Sequence, residues 1–253
     1  MGLDIYAGSL TRYYARNWKT IVQQWGEANG VQVDILRPTE QNVEIAPAEE
    51  ILAGVTQWRE ALLNMLSAHL TEKPLWNEDN DATPYYTDKP GWDALGALLL
   101  YASCKALSRP VPETVAKKHD VFKDPNYLAF MEEKKTDISL FESDGWWLPI
   151  RDSFMFRSYL PTGDEREFAT VGMLKAELEQ INSWEWKADN ETICTWSRTE
   201  GYPTDALYGN GKLRRIAENN EYNTVSLAKF AFSILWQAVR HSEQYGTWII
   251  YDY

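Results

Sequence analysis

The sequence predicts an α+β fold, a helix-rich single domain with a small β-sheet that includes both terminal strands. Three observations lead there. Gly2–Ala7 alternates as a strand, and Thr247–Tyr253 reads as a closing strand behind Gly246. Between them, apolar residues recur at helical spacing over several long segments. The last of these, Val225–Gln244, is apolar on most sides and belongs in the interior, where it ties the C-terminus to the rest of the chain. One domain spanning 1–253 is therefore expected, with a weak sub-boundary near 136–145 where helical patterning gives way to strand patterning.

After the first strand, Gly8-Ser9 breaks the pattern, and Thr11–Ala28 puts Tyr14, Trp18, Ile21, Val22 and Trp25 on one helical face. Asn29-Gly30 turns the chain, Val31–Leu36 alternates as a strand stopped by Arg37-Pro38, and Glu40–Ala46 is an acidic loop. Pro47, Glu49 and Glu50 suit a helix start, and Ile51, Val55, Trp58, Leu62, Met65 and Leu66 form its stripe. Thr71–Pro90 is a long loop rich in Pro, Asn and Asp, a length that points to function or disorder. Trp92–Leu107 is apolar nearly all round and is expected buried.

Pro112–Lys118 and Pro125–Lys135 read as more polar helices, the second with Asp124 as cap. Trp146–Ile150 and Ser153–Leu160 read as strands, and Pro161–Glu167 as an acidic turn. Thr170–Asn182 is a helix with Val171, Leu174, Leu178 and Ile181 on one side, and Thr192–Trp196 a strand. Glu200–Asn223 is polar and irregular around a Gly209-Asn210-Gly211 turn, and Thr224 caps the last helix.

Composition excludes several function classes. Lys plus Arg number 25 against 37 Asp plus Glu, a formal charge of −12, which leaves no basic footprint for nucleic acid. Two cysteines exclude a disulfide scaffold, and Cys104 reads as a small core hydrophobe. No apolar stretch approaches the roughly 20 residues that span a membrane. The N-terminus carries no basic start and no apolar core of a signal peptide, so a cytoplasmic protein is expected. The anomaly is 12 Trp and 14 Tyr, a surplus that serves either a core or a binding hot spot.

Chemical motifs are scarce. His69, His119 and His241 fall outside any metal-ligand spacing, so no metal and no cofactor are expected. Ser226-Leu227-Ala228-Lys229 matches SxxK without its companion KTG, and no glycine-rich phosphate loop or GxSxG is present. Asn77–Asp81 has oxygens suited to calcium but lacks the glycine and distal glutamate of an EF-hand. Two constellations remain. Trp76, Glu78, Asp79, Asp81, Tyr85 and Tyr86 combine acids and aromatics on one loop, the composition of a surface for a basic protein partner. Glu142 and Asp144 stand beside Trp146 and Trp147, as carboxylates beside aromatic platforms do in glycoside hydrolysis.

The opening Met1-Gly2-Leu3-Asp4-Ile5-Tyr6 and the Trp-containing helix after it resemble a loose group of uncharacterised bacterial and phage-type proteins that begin MGLDI or MGLDM. The likeness extends vaguely to the closing helix and strand, Phe230–Tyr253. It implies a bacterial or phage cytoplasmic protein and carries no activity and no functional residue.

Three functions follow in order. The first is an acidic binding protein, a protein–protein antagonist such as a toxin-immunity protein, because complementary charge speeds association with a basic partner. The second is a hydrolase of sugars or peptide-like substrates using Glu142 and Asp144. The third is a DNA mimic, disfavoured by the basic residues interleaved among the acids.

Overall fold

The computed structural model describes residues 2–33, 45–79, 83–209 and 212–253. The expectations for residues 34–36, the Glu40–Ala46 loop up to Glu44, Asp81 and the Asn210-Gly211 tip lie outside them. Among the described residues the strands are β1 (Asp4–Gly8), β2 (Tyr86–Asp88), β3 (Thr114–Ala116), β4 (Trp146–Leu148), β5 (Met155–Tyr159), β6 (Glu165–Thr170), β7 (Ala206–Gly209), β8 (Lys212–Arg215), β9 (Glu221–Asn223) and β10 (Trp248–Asp252). The helices are α1 (Leu10–Tyr14), α2 (Ile21–Ala28), α3 (Ala48–Leu66), α4 (Gly91–Ala106), α5 (Pro125–Glu133), α6 (Ser139–Glu142), α7 (Val171–Trp184), α8 (Asn190–Thr199) and α9 (Thr224–Tyr245).

Six strands form a mixed sheet in the order β2-β1-β10-β4-β6-β5. The terminal strands are neighbours at its centre, antiparallel from Asp4↔Asp252 to Gly8↔Trp248, and β4–β6 is its parallel pair. Successive strand side chains point to opposite faces, and both faces are covered. Leu3, Ile5, Ala7, Trp147, Ala169 and Ile249 pack into one core beneath α4, α7, α8 and α9. Tyr6, Trp146, Leu148, Phe168, Trp248 and Ile250 pack into a second, more aromatic core beneath α1 and α3. The result is three layers with the sheet in the middle.

The Trp92–Leu107 helix is present as α4 and buried along its middle: Ala94 to Cys104 are all buried, while Trp92 and Ala106 at its ends are exposed, and Ser103 satisfies its hydroxyl on the Leu99 carbonyl one turn back. α9 ends at Gly246, whose φ of 66° is the left-handed cap that glycine adopts freely. A Cβ there would lie 2.5 Å from the Leu75 carbonyl oxygen. The Asn77 N–H donates to the Gly246 carbonyl at 2.7 Å, which seats the Thr71–Pro90 segment against the end of α9.

Several expectations are corrected. Thr11–Ala28 is two helices. Arg16 turns left-handed at φ 53°, and Thr20 opens α2 with a reciprocal capping box to Gln23, a T-x-x-Q signature present in the sequence. Pro112–Lys118 is no helix but holds β3, paired with β9. Thr192–Trp196 lies inside α8. Its β-branched residues resemble a strand, yet Asp189 caps the helix through the Thr192 N–H, and Ile193 and Trp196 are buried one turn apart. The Pro161–Glu167 turn is shorter than expected, because β6 already begins at Glu165. Glu200–Asn223 contains β7, β8 and β9 rather than irregular chain, and Asn223, not Thr224, caps α9. Val31, Gln32 and Val33 are not in a strand.

Candidate functional site

The chain reaches the second core through a short relay. Ser9 follows β1 and caps α1, accepting the Arg12 N–H, and the Tyr6 hydroxyl donates to the Ser9 carbonyl at 2.8 Å. α1 lasts little more than a turn, so Thr11, Arg12, Tyr13 and Tyr14 are delivered together over the sheet. Beneath them is a buried carboxylate. Glu78 is 4% exposed. Its Oε2 accepts from the Thr11 N–H at 2.8 Å and the Thr11 hydroxyl at 2.9 Å, and its Oε1 accepts from the Trp76 indole at 2.8 Å. Burial raises the Glu78 pKa, and the Thr11 donors, the Trp76 indole and the Arg59 charge oppose that rise.

Around this anchor the rings interlock. Tyr6 lies 4.7 Å from Trp18, 5.4 Å from Tyr13 and 6.2 Å from Tyr85, centroid to centroid. Tyr13 meets Trp146 edge-on at 5.7 Å and donates its hydroxyl to Asp252 at 2.9 Å. The Arg12 guanidinium stands 5.1 Å over the Tyr85 ring. Tyr13, Tyr14, Tyr85 and Arg12 are half-buried, so the cluster has a closed floor and an accessible rim.

The structure thus unites Trp76, Glu78, Tyr85 and Trp146, which the sequence assigned to two separate constellations. Trp76 and Glu78 form the floor rather than an exposed loop. Asp79 is exposed, and Asp81 lies outside the described residues. Tyr86 turns to the other side of the sheet, 6.3 Å from the His241 ring. The carboxylates expected beside Trp146 and Trp147 do not join them in a cleft. Glu142 pairs with Lys134 at 2.6 Å and accepts the Ile138 N–H, while Asp144 accepts the Glu167 N–H. Trp147 is fully buried in the first core and Trp146 is 8% exposed in the second, so neither offers an open ring face to a sugar.

Sequence reasoning missed Thr11, Arg12 and Tyr13, hidden by treating Thr11–Ala28 as one helix. It also missed a second, half-buried carboxylate. Glu177 Oε1 accepts from the Ser139 N–H at 2.5 Å, and Oε2 from the Ser139 hydroxyl at 2.8 Å and the Leu140 N–H at 2.9 Å. The Trp147 indole donates to that same hydroxyl at 3.0 Å. Burial pushes Glu177 up to about 7, against the pull of these donors and with a smaller push from Glu142. Its signal was available: Glu177 lies three residues past Leu174 and four before Ile181, a charge set into an apolar stripe.

Among the described residues, no group of three or more His, Cys, Asp or Glu converges to hold a metal, and no helix is long and apolar enough to cross a membrane. Compared with known proteins, the chain matches no family model, no curated protein and no solved structure.

Proposed function

We propose that this chain is an acidic binding protein, an antagonist that occludes a basic protein partner as a toxin-immunity protein does, and that the Arg12–Tyr13–Tyr14–Tyr85 rim is its contact patch. The observation that carries the reading is the composition of that rim and its floor. Tyr, Trp and Arg dominate binding hot spots, and they work best when rigidly backed and shielded from water. Here the backing is Tyr6, Trp18 and Trp76, locked by Glu78. The −12 charge of the chain supplies long-range attraction for a basic partner. The carboxylates considered for hydrolysis, Glu142 and Asp144, are engaged by Lys134 and by main-chain N–H groups, which supports binding over catalysis at those positions.

The test is capture from a lysate of the native host at low salt. A basic protein is expected to co-purify, to be released as salt rises, and to be lost with Tyr85→Ala when the circular dichroism spectrum is unchanged. Capture of nothing, or capture that is indifferent to both Tyr85→Ala and Arg12→Ala, contradicts the proposal.

A further inference from the structure

On the opposite side of the sheet from the aromatic rim, α4, α5 and α7 border a half-open pocket of about 470 Å³, within the size range of small-molecule sites. Its walls are Phe130, Ile138, Phe141, Met173, Ile181 and Trp184. Lys135, Thr136 and Asp137 line it and are exposed, which marks its mouth. Glu177 also lines it, with Gln180 and Ser153 as further polar groups.

A carboxylate offers about four lone-pair positions. Ser139 and Leu140 fill two on Oε2 but only one on Oε1, so a fourth position remains on Oε1. A ligand group that meets the ionised Glu177 must therefore donate a hydrogen bond. A positive charge is favoured further, because Lys134, which also lines the pocket, is already paired with Glu142. An anionic head would bring a second negative charge against the half-buried Glu177 carboxylate.

We propose that this pocket binds a small apolar amine, with the tail among Phe130, Phe141, Met173 and Trp184 and the ammonium group donating to Glu177 Oε1. This inference is independent of the protein-binding reading, since it uses the other face of the sheet. Burial that holds the Glu177 proton affinity near neutrality adds to the attraction, because a half-buried carboxylate short of countercharge gains more from a cation than a solvated one does.

The experiment uses the full chain labelled at its methionine methyls, with phenethylamine as probe and 3-phenylpropionate as its anionic counterpart. Phenethylamine is expected to shift the Met173 methyl resonance saturably, while 3-phenylpropionate leaves it in place. Glu177→Gln should weaken the amine by about tenfold or more, the effect of losing a charge-assisted hydrogen bond. Should Glu177→Gln fail to fold, Ala176→Leu, at an exposed lining position beside Glu177 on α7, obstructs the pocket while keeping the carboxylate and should abolish the shift. No saturable shift with phenethylamine, an equal response to 3-phenylpropionate, or a response that survives either folded variant overturns the proposal.

Discussion

Glu78 and Glu177 are two solutions to the same problem on opposite faces of one sheet. Glu78 is buried and Glu177 half-buried, and each accepts both the N–H and the hydroxyl of a residue in a short helix, Thr11 in α1 and Ser139 in α6. Each is tied to a buried Trp, directly for Glu78 and through the Ser139 hydroxyl for Glu177. They differ in what else is near. Glu78 has the Arg59 charge and an aromatic lid, whereas Glu177 has a like charge at Glu142 and a pocket in front of it. Similar sets of three donors therefore hold one carboxylate as a closed structural anchor and leave the other facing open space. The countercharge and the neighbouring space decide, not the hydrogen bonds.

The comparison breaks most sharply when the anchor is removed. Glu78→Ala strands the Thr11 and Trp76 donors in the core. The expected loss is about 2–4 kcal/mol in urea unfolding. Next comes pH. Glu177 holds its proton more tightly folded, at about 7, than unfolded, near 4.5. Its contribution to stability is therefore greatest at low pH and is lost as pH rises through that window, by about 3 kcal/mol. Glu177→Gln should flatten that part of the profile, and Glu78→Gln should change the slope less. Smaller still are the hydroxyls. Thr11→Val and Ser139→Ala should each cost about 1–2 kcal/mol, with Ser139→Ala the larger because it also frees the Trp147 indole and raises Glu177 further. Smallest is Tyr85→Ala at the half-buried rim. It should cost about 1 kcal/mol or less in stability while abolishing partner capture.

The fold was largely legible because its strongest signals are periodic. α3, α4, α7 and α9 announce themselves by apolar stripes, and both terminal strands by alternation. Errors fell where short elements depend on tertiary partners. β3 exists through its pairing with β9 across more than 100 residues, and β-branched Thr192, Ile193 and Thr195 misstate the α8 conformation that packing imposes. The surplus of tryptophan is resolved as core. Trp18, Trp76, Trp146, Trp147, Trp196 and Trp248 are buried, and only Trp25 and Trp92 are substantially exposed. The candidate site was half legible. Glu78, Trp76 and Tyr85 were singled out on a loop, but nothing in a polar, Pro-rich segment shows that Trp76 and Glu78 fold inward beneath a distant α1.

The most direct measurement is a carbon-13 NMR titration of the glutamate side-chain carboxyls, with Glu78→Gln and Glu177→Gln used to assign the two groups. The expected result is one resonance with a midpoint near 7 that vanishes in Glu177→Gln, and a Glu78 midpoint above the exposed glutamates but below that of Glu177. A Glu177 that titrates with the exposed carboxyls, or a Glu78 midpoint above that of Glu177, would contradict the assignment of anchor and open site.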